Sequence, residues 1–338
     1  MHKHLLLTAF TFFILLSTNY SQHIIYVKQN AEGIGSSWAN ATGDLQYALA
    51  KAKPGTQIWI AEGTYYPTDC TSCTSNDRSV SFNIPDGVEL LGGFEGTEKR
   101  PSQRKWQKHP THLSGNIGLP YSDHDNSYTV VLTHAVSPAT VLDGLIISDG
   151  HADASKPAGH PFRSGGGLYN DGSGIGVVSN PTFRNCLFLN NFALEGGAFF
   201  NNGDHGEANP TLTDCTFTSN RAVYGGGAFF NNGEHGQANA VIEYSQFVNN
   251  EAAFGPGVFN ACSEDETDPT IFNSTFANNK AQHGGCLFFL GLSERPKMRT
   301  VTFVNNLSHH DDEDISVMET KVIPNGLMAE MPLDDGEY

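Results

Sequence analysis

Around Phe217 polar and apolar residues alternate, as Asp214-Cys215-Thr216-Phe217-Thr218. A period of two marks a strand, not a helix. Cys215 and Phe217 therefore share one face with Ser245 and Phe247, while Thr216 and Thr218 face the other way. The pattern recurs along the chain. Residues 196–222, GGAFFNNGDHGEANPTLTDCTFTSNRA, and 226–252, GGAFFNNGEHGQANAVIEYSQFVNNEA, match at an offset of 30 without a gap. Weaker copies run from Gly166 to Asn191, Gly255 to Asn279 and Gly284 to Asn306. Phe188, Phe217, Phe247, Phe276 and Phe303 hold one equivalent position; Asn191, Asn220, Asn250, Asn279 and Asn306 hold another, three residues on.

A strand this short cannot bury its apolar face alone. Stacking like strands from successive repeats buries it, and places like on like at a spacing of about 4.8 Å. The pattern thus predicts an all-β chain, a right-handed parallel β-helix of 9 to 11 coils with about 25–30 residues each. Phe forms an internal ladder. Asn is expected at the turn, where it tolerates left-handed backbone and bonds neighbouring main chain. Gly-Gly marks a second corner needing positive φ or close backbone approach. The β-helix is placed at residues 23–306, with regular repeats over 165–306 and a turn-rich insertion at His151–Gly165. Leu45, Ala48, Leu49 and Ala52 lie on one stripe, so 44–52 reads as a short helix covering the first coil, stopped by Pro54-Gly55. Thr56–Ile60 reads as an early strand.

The GGA segments at Gly196–Ala198 and Gly226–Ala228, with F-x-x-N at Phe217–Asn220 and Phe247–Asn250, resemble the repeats of polymorphic outer-membrane proteins. IIYVKQNAEG, the block from Ser36 to Pro67, LLGGFEGTE (Leu90–Glu98) and VLDGLIISDG (Val141–Gly150) resemble exported β-helix proteins of Bacteroidota-like bacteria, in the pectin-lyase-like superfamily. The resemblance covers about residues 24 to 306. It implies the β-helix fold and a surface or extracellular, adhesin-like setting. Such folds host lyases, hydrolases, adhesins and scaffolds alike, so activity must be argued from a site.

Composition adds a compartment. Residues 1–22 carry Lys3 and then an apolar run, Leu5–Leu16, too short to span a bilayer and suited to a signal peptide cleaved near Ser21 or Gln22. No other segment is long and apolar enough to cross a membrane. The 36 acidic and 19 basic residues leave a net charge of −17, which disfavours a nucleic-acid partner. From His309 on, nine acidic residues oppose Lys321 alone, so 307–338 reads as an acidic tail or last-coil cap. Lys99, Arg100, Arg104, Lys105 and Lys108 form a basic patch that reads as a solvated loop, with contact to an anionic glycan as the alternative.

Export makes disulfides possible. Cys70 and Cys73 sit in a loop rich in Thr, Ser and Asp, where a local disulfide is expected instead of a redox or zinc motif. Cys186 and Cys215 fall at matching positions in adjacent repeats. Side chains in register point the same way, which favours buried thiols over a bridge. Cys262 and Cys286 have no assigned state.

Two groups of residues carry candidate chemistry. Asp204-His205-Gly206-Glu207 recurs as Glu234-His235-Gly236-Gln237, followed by Glu264 and Asp265 in the next repeat. Stacked in register, these line one edge with imidazoles and carboxylates. The oxygen ligands would suit Ca²⁺ and the two histidines a softer metal, against a reading as solvated loops left by recent duplication. The second group is Asp143, Asp149 and Asp153, with His151 beside them. Lyases of this fold pair such acids with Ca²⁺ and an Arg or Lys base. Arg163 is a candidate base, with Arg184 and Arg221; Asp143 reads more simply as a turn residue. No nucleophile elbow, P-loop or zinc-protease motif occurs. Near-perfect repetition suits binding, because acids and bases for catalysis must be individually placed. The expected function is a non-catalytic exported scaffold binding a polysaccharide or another surface ligand. The alternative is a polysaccharide lyase or glycoside hydrolase, its site hidden in the irregular stretch 99–165.

Overall fold

Strands of two to six residues become stable here by stacking. In the computed structural model, which describes residues 23–70, 72–262, 269–291, 297–309 and 313–318, the chain winds into a right-handed parallel β-solenoid of about nine turns. One coil shows the plan. Thr211–Thr213 belongs to sheet I, Thr216–Thr218 to sheet II, Arg221–Gly225 to sheet III and Phe229–Gly233 to sheet IV. Among the described residues sheet I has nine strands, sheets II and IV eight each, and sheet III six. The coil pairs in parallel with the next, Phe217 opposite Phe247 and Phe230 opposite Phe259.

Within sheet II the phenylalanines form the expected inward ladder. Ring centroids are 4.6 Å apart at Phe188–Phe217, 4.7 Å at Phe217–Phe247, 4.5 Å at Phe247–Phe276 and 5.5 Å at Phe276–Phe303. The first four are fully buried and join one continuous core.

The asparagine expectation needs correcting. Left-handed backbone falls one residue earlier, at Asn190, Ser219, Asn249, Asn278 and Asn305. That residue turns the corner, and the next Asn points its side chain inward. Asn220 Nδ2 donates to Asn250 Oδ1 and to the carbonyl of Phe188, both at 3.0 Å. Asn250 repeats this with Asn279 and Phe217. Each buried amide thus ties three coils together. At the other corner, Gly196, Gly226, Gly255 and Gly284 all have positive φ.

The helix spans Leu45–Lys51, with Asp44 capping it by accepting from the Tyr47 N–H at 2.8 Å. Leu45, Ala48 and Leu49 pack into the same core as Ile25, Val27 and Ile58. Cys70 and Cys73 are joined in a disulfide, and Cys186, Cys215, Cys262 and Cys286 are buried thiols. Burial pushes the Cys215 and Cys286 thiols up. Beyond residue 306 the solenoid continues: Leu307–Ser308 pairs with Lys280–His283, and Ile315–Met318 with Leu287–Leu290. Residues 1–22, where a signal peptide is expected, and residues 319–338 lie outside the described residues. No helix among the described residues is long and apolar enough to cross a membrane.

Candidate functional site

The repeated string FFNN explains a second buried cluster, on the outer side of sheet IV. Period two sends one Phe and one Asn to each face of sheet IV. Phe199 and Asn201 point inward, and Phe200 and Asn202 point outward. A second, outer ladder of aromatic rings results: Tyr169–Phe200 at 5.3 Å, Phe200–Phe230 at 4.9 Å, Phe230–Phe259 at 4.8 Å and Phe259–Phe288 at 5.3 Å. Inside, Asn170, Asn201, Asn231 and Asn260 form a buried amide ladder with Nδ2-to-Oδ1 distances of 2.6–2.7 Å. Sequence reading missed both; the doubled Phe and doubled Asn were the available signal.

A groove of about 210 Å³ follows the outer ladder, lined by Phe200, Phe230, Phe259, Asn202, Asn232 and Glu195. Asn232 Nδ2 donates to Asn202 Oδ1 at 3.0 Å, and Asn202 Nδ2 to the Tyr169 hydroxyl at 2.8 Å. That hydroxyl donates to the Gly159 carbonyl at 2.6 Å, which fastens the 151–165 insertion beside the groove. Arg163 holds the insertion too. It pairs with the buried Glu195 at 3.1 Å and so stands apart from the acids it was expected to serve.

At the far lip of the groove the two repeated loops stack. Gly203 N–H donates to the Asn232 carbonyl at 2.8 Å, His205 N–H to Glu234 at 3.2 Å, and Gln237 N–H back to Gly206 at 2.8 Å. Both histidines adopt left-handed backbone, with φ of 55° and 54°. The glycines after them are required, because a Cβ on Gly206 would lie 2.1 Å from the Gly172 carbonyl oxygen, and one on Gly236 the same distance from that of Gly203. This stacking brings Asp204, His205 and His235 together. Asp204 Oδ1 is 2.6 Å from His205 Nδ1 and 3.6 Å from His235 Nδ1, and the imidazole centroids are 4.7 Å apart. Glu234 sits beside them with Oε1 buried and unpartnered. Its carboxyl is pushed above the usual range, chiefly by burial; Asp204 adds to the shift and the two histidines oppose it. Glu207 does not join the group: it is exposed, on a two-residue strand paired with Val178–Ser179. Glu264 and Asp265 lie outside the described residues.

The acids of the irregular half stand at different corners. Asp143 ends a strand of sheet I, Asp149 follows one of sheet II, and Asp153 follows one of sheet III. Each is bonded locally. Asp143 pairs with Arg104 at 2.5 Å and accepts from Asn185 at 2.8 Å. Asp149 accepts from the Ser114 and Ser148 hydroxyls at 2.9 and 2.7 Å. Asp153 pairs with Arg78 at 2.6 Å. Arg104 comes from the basic patch, where a solvated loop was expected; it is instead mostly buried against Asp143. Arg78 also donates to the carbonyls of Asn126 and His151 and lies 4.1 Å over the Tyr128 ring. Both arginines are distant in sequence from their partners, so proximity along the chain points only to Arg163, Arg184 and Arg221.

Around Asp153 the chain does gather acid and base. His151 Nε2 is 3.6 Å and His124 Nδ1 3.8 Å from Asp153 Oδ2, and His151 Nδ1 is 3.7 Å from Asp123. Burial holds the His151 imidazole below its ordinary basicity, against the pull of Asp153 and Asp123.

The fold is similar to that of a solved structure, Escherichia coli YbhC, at 13% identity and a TM-score of 0.39, over 85% of this chain and 72% of that one. No protein-family model matches the sequence, and no curated protein matches it.

Proposed function

We propose that this chain is a non-catalytic β-helix scaffold, exported to the cell surface or beyond, that binds a polysaccharide or similar extended surface ligand along the outer face of sheet IV. The observation that carries this reading is the pair of matched coils beside the groove. Asn202 and Asn232, Asp204 and Glu234, His205 and His235 present like groups at the coil spacing of about 4.8 Å, which suits a polymer that also repeats. Two further features support it. Asp143, Asp149 and Asp153 occupy three corners and are held by local partners, so they do not converge on one reacting atom. The apolar run Leu5–Leu16 and the likeness of the GGA and F-x-x-N repeats to polymorphic outer-membrane proteins support the setting.

A catalytic reading rests on one specific place, the His124–His151–Asp153–Arg78 group, where imidazoles and a carboxylate meet a cation. The experiment that separates the readings offers residues 23–338 a panel of neutral and anionic polysaccharides, scoring retention and reducing-end release. The scaffold reading expects retention without release, and weaker retention for Asn202→Ala with Asn232→Ala. Product release that disappears in His151→Ala or Asp153→Asn would replace it with the enzyme reading.

A further inference from the structure

The stacked loops that supply part of this surface carry a second inference, which does not depend on a polysaccharide being the ligand. We propose that Asp204, His205 and His235 form a binding site for a divalent transition-metal ion of the Zn²⁺ class, bridging two successive coils at the lip of the groove. Their ligating atoms all lie within 4.8 Å of one another. Tetrahedral coordination at about 2.0–2.1 Å from each ligand needs atoms about 3.3 Å apart. The 3.6 Å between Asp204 Oδ1 and His235 Nδ1 is already close to that. The 2.6 Å hydrogen bond from His205 Nδ1 to Asp204 must open by under an ångström, which side chains about half exposed can accommodate.

Three features beyond proximity favour a site. The backbone is built for it: in-register stacking, left-handed φ at both histidines and a glycine after each aim the two imidazoles to one side at coil spacing. The donor set is selective. Two imidazoles and one carboxylate suit Zn²⁺, Ni²⁺ or Cu²⁺, whereas Ca²⁺ asks for six to eight oxygens. Glu234 Oε1, buried and without a hydrogen-bond partner, stands next to the group and supplies further negative charge toward a cation. Three protein ligands leave a fourth position open. Asp204 and Glu234 also line the groove, so an ion held here would sit at its edge.

The test is calorimetric titration of the metal-stripped full chain with ZnCl₂ alone, and with CaCl₂ alone. The variants are His205→Asn, His235→Asn and Asp204→Asn. Asn tolerates left-handed backbone, so both histidine changes preserve the turn, and melting curves in chelator check that they do. The expected result is one Zn²⁺ per chain, at least a tenfold loss of affinity in each variant, and no comparable Ca²⁺ binding. Co²⁺ in place of Zn²⁺ should give visible absorption that the His235→Asn chain lacks. Zn²⁺ affinity unchanged in all three variants overturns the proposal, as does binding lost on His124→Ala instead, which would place the ion at the other His–His–Asp group. No Zn²⁺ uptake by the parent chain overturns it as well. Retention on polysaccharide is scored separately, so the site and the scaffold reading can fail independently.

Discussion

At the scale of the residue, stability rests on side chains that see only their own kind above and below. Phe247 is fully buried between Phe217 and Phe276, at 4.7 and 4.5 Å. Phe247→Ala opens a hole that rigid neighbouring rungs cannot close, and should cost about 3–5 kcal/mol in urea unfolding. Thr216→Ala, on the outward face, should cost little. Equal midpoints for Phe247→Ala and the parent would disprove the inward ladder. Asp86 makes a different, pH-dependent contribution. The Ser137 hydroxyl and N–H, at 2.6 and 2.7 Å, hold its carboxyl below the usual carboxylate range. A carboxyl depressed by folding stabilises above its unfolded value, about 3.9, and that contribution is lost as pH falls through the folded value. Asp86→Asn should therefore lower Tm near neutral pH, and the gap should close as pH falls through the depressed folded value. A gap that widens in acid would reverse the assignment.

At the scale of the element, short strands and corners differ in how far their own residues specify them. Sheet II was legible because Phe and Asn recur in fixed register, and the strands run where the alternation put them. The corner was read one residue late. Asn190 and Asn191, like Asn249 and Asn250, are chemically identical neighbours, and only their backbone angles tell the turning residue from the inward one. Sheet IV was under-read for a related reason: FFNN looks uniform, yet period two splits it between core and groove. In the candidate site, the stacked loop was legible as a duplication. The arginines holding Asp143 and Asp153 were not, because Arg104 lies 39 and Arg78 75 residues from its partner, and coil winding alone brings them together. The inner amide ladder of sheet IV makes its own prediction. Asn231 accepts from Asn201 and donates to Asn260 and the Ala238 carbonyl. Asn231→Ala strands those buried groups, at about 1–3 kcal/mol for each one left unsatisfied. It should cost more than Asn239→Ala, whose side chain is only partly buried. Chemical denaturation of the pair decides the point, and equal midpoints would mean the ladder adds nothing.

At the scale of the whole molecule, stability is a chain of neighbour-to-neighbour couplings, so it need not be uniform along the axis. At the first coils, the helix Leu45–Lys51 packs on the core, and Trp59 stacks on Phe94 at 4.8 Å with Tyr26 and Trp38 against them. Toward residue 309 the couplings loosen. The Phe276–Phe303 spacing widens to 5.5 Å, Phe303 is only partly buried, and Val304 and Leu307 are 42% and 62% exposed. Opening should therefore begin at that end and move inward one coil at a time. Native-state hydrogen exchange is the measurement that follows it, because each strand's amides report the free energy of the smallest opening that frees them. The amides of Thr302–Val304 should exchange fastest, those of Thr275–Ala277 next, and those of Thr216–Thr218 slowest, near the global limit. Phe247→Ala should then speed exchange on both sides of the lesion while leaving Gln57–Ala61 protected. Uniform protection from Gln57 to Val304 would mean instead that the coils couple more strongly than each costs to open, and that the solenoid unfolds as one unit despite its repeating build.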